Sequence, residues 1–128
     1  MKVVRKNIVH GKDISSNRLF LEDKKTKMLI LNHKIGKDRL KQRDSGLNHV
    51  LCKIAKKNEI ILAIDIEELG VGDKKKRAKI LGRMIQNIRL IKKAKNKFKL
   101  LNYSNKVQAR DFLLTLGLPT DMAKKAVD

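Results

Sequence analysis

Four short apolar runs constrain this chain more than any other feature. Residues 3–9, 28–31, 60–66 and 98–103 are rich in Val, Ile and Leu, and each is followed by a segment whose apolar residues recur at helical spacing. The order is β-α-β-α-β-α-β-α-α. Strict alternation of this kind requires parallel strands joined by right-handed crossovers, and three of the runs are continuous rather than alternating, which predicts strands covered on both faces. The expected fold is therefore a single α/β domain over residues 1–128. Its four βα units form either a small open sheet or half of an eight-unit TIM-like barrel. No glycine-rich phosphate loop follows any of the strands, which argues against a nucleotide-binding domain.

The helix boundaries are written in capping residues. Asp13 precedes a first helix carrying Leu19 and Phe20, and Asp44 and Ser45 stand where a second would be capped. In that second helix Leu47, Val50, Leu51 and Ile54 make a stripe for the sheet, leaving His49 and Lys53 outward. Asp73 caps the longest helix, with Ala78, Leu81, Met84, Ile85, Ile88 and Ile91 along one side. Gly117 stops a fourth, and Pro119 suits the start of a short terminal one.

Charge decides the class of partner. Thirty-two Lys and Arg stand against thirteen Asp and Glu, a net charge of +19 on 128 residues. A chain this cationic repels itself unless a polyanion neutralises it, so nucleic acid is the expected partner. With no Trp, one Tyr and three Phe, it lacks the aromatics of a membrane-surface helix or of a base-stacking single-strand binder. No run is long enough to span a membrane, and no secretory leader is evident at MKVVRKNIV. One cysteine, Cys52, excludes an internal disulfide and fits a reducing, cytoplasmic setting. A Cys52–His49 nucleophile pair lacks a third group to orient the histidine, so Cys52 is read as packing.

Two basic stretches are candidate RNA contacts. Residues 74–99 hold twelve Lys or Arg and no carboxylate. A merely solvated helix face would intersperse Glu to relieve repulsion. The residues singled out are Lys74, Lys75, Lys76, Arg77, Lys79, Arg83 and Lys93, with Lys75, Lys79, Arg83 and Lys93 expected on one solvent-facing ridge. The second stretch, Lys34, Lys37, Arg39, Lys41 and Arg43, follows the second strand, at the carboxyl end of a parallel sheet where ligands usually sit. There Lys41, Arg43, His49 and Lys53 are the expected contacts. A competing enzyme reading gathers His10, His33, Asp65, Glu67, Glu68 and Ser104 at the strand ends as a metal-dependent hydrolase of barrel type. A third reading is a free-standing RNA-binding or ribosome-associated protein.

The segment RDSGLNHVLCKIAKKNEIILAIDIEEL, the long basic helix, and then FKLLNYSNKVQARDFLLTLGLP resemble the barrel-type protein subunit of archaeal and eukaryotic ribonuclease P, protein component 3. Arg43, Asp44, Gly46, His49, Val50, Leu51, Ser104, Arg110, Asp111 and Gly117 stand where that pattern asks. The resemblance implies a noncatalytic subunit that stabilises a catalytic RNA, assisting 5′-leader removal from precursor tRNA. The RNA performs the chemistry with Mg²⁺, and the protein itself holds no cofactor. It also implies a small ferredoxin-like partner subunit. The chain matches only the second half of the family's barrel, so a missing half is expected from elsewhere. Homodimerisation into a complete barrel is the favoured expectation.

Overall fold

A computed structural model describes residues 7–34 and 44–128. The elements run β1 (Ile8–His10), α1 (Ile14–Glu22), β2 (Met28–Leu31), α2 (His49–Lys57), β3 (Ile61–Asp65), a 3₁₀ helix (Ile66–Gly70), α3 (Lys74–Ala94), β4 (Phe98–Leu101), α4 (Lys106–Thr115) and α5 (Thr120–Ala126). Apart from the 3₁₀ helix, this is the order expected from the alternating runs. The sheet is open, in the order β1-β2-β3-β4, with every neighbouring pair parallel. Four parallel strands alternating with helices make an α/β fold that corresponds to half of a barrel.

Burial alternates along β2 and β4. Leu29, Leu31, Leu62, Ile64, Phe98 and Leu100 point to the face covered by helices, while Met28, Ile30, Ile61, Lys99 and Leu101 on the other face are only half-buried. Coverage on both faces thus holds fully only for the centre of β3, where Leu62, Ala63 and Ile64 are all buried.

The helices start largely as the caps dictate. Asp13 accepts the Ser16 amide at 2.8 Å to open α1, and Asp73 accepts the Lys75 and Lys76 amides at 2.9 and 3.4 Å to open α3. Helix α2 differs: Asn48 caps it, taking the Leu51 amide at 2.9 Å, and Asp44 and Ser45 lie before it in a buried turn. Pro119 sits one residue earlier than expected, at the cap of α5. Three helices end on the same left-handed exit, with Glu59 (φ 56), Lys95 (φ 57) and Gly117 (φ 105) after α2, α3 and α4. In each, the next amide reaches back across the turn: Ile60 to Ala55, Asn96 to Ile91, Leu118 to Leu113.

Three helix faces are rotated from the expected ones. In α1 the core residues are Leu21 and Asn17, and Leu19 is 69% exposed. In α2, Leu51, Cys52 and Ala55 are buried while Val50 is exposed. In α3 the buried line is Ile80, Arg83, Met84, Asn87, Ile88 and Ile91; Leu81 and Ile85 are half-buried and Ala78 is exposed. Both α1 and α3 have apolar residues on two sides, and the side that faces the sheet is the one carrying the asparagine.

Candidate nucleic-acid interface

In a parallel βα unit the helix amino terminus lies at the carboxyl end of the strand, so α2 and α3 both begin at one rim of the sheet. That rim is tied together from beneath by a buried polar network. His33, fully buried, places Nδ1 2.8 Å from Glu68 Oε1, and its backbone amide donates to Glu68 Oε2 at 2.9 Å. On the other side of the ring, Asn87 Nδ2 stands 3.0 Å from His33 Nε2 and donates to the Ser45 carbonyl at 3.0 Å. A carbonyl only accepts, so Asn87 must turn its amide nitrogen this way. His33 Nε2 is then the acceptor and Nδ1 carries the hydrogen given to Glu68. Arg83 Nη1 donates to the His33 carbonyl at 2.8 Å, and Gln86 Nε2 to Ser45 Oγ at 3.3 Å.

Asn17 clamps the same turn from α1. Its Nδ2 donates to the Gly46 carbonyl at 2.8 Å and the Lys12 carbonyl at 3.1 Å, while Oδ1 accepts the Lys12 amide at 2.7 Å. Gly46 has φ 77, and a Cβ there would stand 3.1 Å from the Asn17 amide and 3.2 Å from the Lys12 carbonyl. Only glycine fits comfortably on both counts. The turn at residues 44–46 is therefore a structural joint, not a helix cap. Asn17 and Asn87 were missed in the sequence, and His33 was read as a candidate metal ligand at the strand end rather than as part of this network; an asparagine within the apolar stripe of α3 is a signal that something polar lies opposite.

Above this joint lies the cationic surface. Every residue from 72 to 79 is exposed, so the first turn and a half of α3 projects beyond the body and holds Lys74, Lys75, Lys76, Arg77 and Lys79 in solvent. None of the ion pairs among the described residues involves them. His49 and Lys53 are exposed on α2, His49 at its first turn and Lys53 one turn further back. The fold thus places His49 and the tip of α3 along one rim. Two expected ridge members are elsewhere. Arg83 is only 5% exposed and belongs to the buried network; it lies on the core line of α3, one turn from Ile80. Lys93 is exposed but lies about 27 Å along the helix from Lys75, at the opposite end of the sheet. Lys37, Arg39, Lys41 and Arg43 fall outside the described residues.

Among the described residues the strand ends do not assemble the hydrolase centre. Both ring nitrogens of His33 and both carboxylate oxygens of Glu68 are committed to the network, and Ser104 is exposed beyond β4. His10, Asp65, Glu68, Asn32 and Lys34 line a small cavity of about 190 Å³, but among the described residues no group of three His, Cys, Asp or Glu converges to hold a metal ion. Cys52 is fully buried, with its thiol pushed up to about 12 by that burial, and His49 is exposed. They form no nucleophile pair. Among the described residues no helix is long and apolar enough to cross a membrane.

Comparison with known proteins adds one finding. A chain from the cryo-EM structure of archaeal ribonuclease P with mature tRNA is similar, with a TM-score of 0.72 and 24% identity, over 92% of this chain and 52% of that one. This chain spans about half the length of the solved chain it matches. No family model matches, and no curated protein does. At that identity the likeness establishes the fold, an α/β half-barrel.

Proposed function

We propose that this chain is an RNA-binding, noncatalytic subunit of ribonuclease P, of the protein component 3 type, which stabilises the catalytic RNA while that RNA removes the 5′ leader from precursor tRNA. The observation that carries the reading is the shared fold over 92% of the chain with a chain of the archaeal enzyme. The sequence motifs and the uncompensated charge agree with it. Phosphates are met by Lys74, Lys75, Lys76, Arg77 and Lys79 at the tip of α3 and by His49 and Lys53 on α2, and Lys41 and Arg43 are further proposed contacts on sequence grounds. Mg²⁺ belongs to the RNA, and the protein holds no cofactor. The proposed partners are the ribonuclease P RNA, precursor tRNA, a ferredoxin-like subunit and a second copy that completes the barrel, all in the cytoplasm and away from membranes.

The test is to recover the protein from its cells under mild salt and sequence the RNA that accompanies it. Enrichment of a ribonuclease P RNA or precursor tRNA supports the proposal. Content dominated by ribosomal RNA would replace it with the free-standing, ribosome-associated reading.

A further inference from the structure

A second cationic site lies at the other end of the sheet, where the carboxyl end of α3, the start of β4 and helix α5 enclose a cleft of about 730 Å³. Lys92 from α3, Lys95 and Lys97 from the connection, Lys99 from β4 and Lys125 from α5 line it, together with two carboxylates, Asp121 and Asp128. Segments some thirty residues apart in sequence converge on one concavity, and the ion pairs among the described residues include none of these lysines. Lys99 is held in place, its Nζ donating to the Lys125 carbonyl at 2.9 Å. Its apolar lining is Ile61, Phe98, Pro119 and Met122.

A cleft lined by both apolar side chains and lysines suits a ligand with a flat uncharged part and an anionic tail. Its volume falls in the range of about 300–1,000 Å³ usual for sites that enclose small molecules. A nucleotide has this form, and only an unpaired one can turn its base into a cleft. An acidic peptide would satisfy the lysines. It gives no reason for a second cationic site at the tip of α3, about 27 Å away along the helix axis, whereas one folded RNA reaches both.

We propose that this cleft holds an unpaired nucleotide of the bound RNA, its base against Ile61, Phe98, Pro119 and Met122 and its flanking phosphates on Lys92, Lys97 and Lys125. The inference rests on the RNA-binding reading and adds a preference for single-stranded, base-bearing RNA. The protein then grips its RNA at two points, a backbone contact at the α3 tip and a base contact at the far end.

Equilibrium binding of a short labelled oligoadenylate and of its abasic sugar-phosphate counterpart tests this on the full chain. The wild type is expected to bind the base-bearing strand about tenfold more tightly, the scale of one buried base. Met122→Gln should abolish that preference. Lys92→Glu with Lys97→Glu should weaken both ligands about equally and lower the salt dependence. Equal wild-type affinity for the two strands overturns the base site, and polyglutamate competing as well as oligoadenylate reassigns the cleft to a protein partner. If charge reversal at the α3 tip weakens RNA binding but no base preference exists, the base site alone falls. If the wild type binds neither strand nor folded RNA in dilute salt, the RNA-binding reading falls with it.

Discussion

The two halves of helix α3 use polar residues in opposite ways. Its first six residues carry five cations whose side chains enter no ion pair among the described residues. From position 83 to 91 the same helix buries Arg83 and Asn87 with hydrogen-bond partners on the loops after β2 and before α2. The exposed half contributes little to holding the chain together, because solvated charges of one sign repel and are screened. The buried half joins elements that lie far apart in sequence, and each partner it serves would be costly to leave alone. Density of charge marks where a ligand goes; a lone buried amide marks what holds the frame.

The sharpest way to break this contrast is Asn87→Leu, which leaves the Ser45 carbonyl and His33 Nε2 buried without partners. A loss of about 3–4 kcal/mol is expected from two such groups, measured by urea denaturation, with the salt slope of RNA binding unmoved if the fold survives. A loss under about 1 kcal/mol would show that the network is incidental. The mirror experiment is Lys75→Glu, Lys76→Glu and Lys79→Glu together. Stability should stay within about 0.5 kcal/mol, as surface changes do, whereas RNA affinity should fall about thirtyfold, and the slope of log affinity against log salt should flatten by about 2 to 3. An unchanged slope would reduce the tip to solvated surface. Arg83 is best left out of that set, since reversing it would damage the frame.

A smaller effect is expected at the exit of α2. Glu59 holds φ 56 with a full side chain, so Glu59→Gly should raise stability by about 0.5–1 kcal/mol in thermal or urea unfolding. No gain would mean that the side chain compensates its own backbone. Smallest is a pH effect at the exposed cap of α1. The Ser16 amide, followed by the Ser16 side chain, holds the Asp13 carboxyl below its ordinary value of 3.8. A lowered carboxylate stabilises the fold above that ordinary value, and the contribution fades as pH falls through the lowered one. Asp13→Ala should therefore be less stable than the wild type at pH 6 and indistinguishable from it in strong acid; an equal deficit at both would remove the charge from the explanation.

The topology was legible because strand runs, Asp13, Asp73 and Gly117 are local signals, each acting within a few residues. What was not legible depended on distant partners. The spacing of α3 allowed two apolar sides, and the line through Leu81 and Ile85 looked as suitable as the one through Ile80 and Met84. His33, Ser45 and the sheet decide between them, and Asn87 meets His33 across fifty-four positions of sequence. Arg83 was assigned to the surface for the same reason: an arginine amid lysines reads as one of them until its carbonyl partner is in place. Asp44 and Ser45 looked like a cap because they precede a helix, and Asn48 does that work instead. Of the interface, the cationic tip was evident from composition alone, while the cleft at the far end needs α5 folded back against β4 before its lysines meet.

The projecting start of α3 has a mechanical consequence. It is a stiff rod about 9 Å long beyond the domain body, rooted where Asn87, Arg83 and Gln86 grip the loops. A load applied at the free end by a tightly held polyanion bears on that root rather than on the apolar interior. Slackening the root should let the rod swing, so an RNA clasped at both ends would lose its fixed spacing before the domain itself came apart.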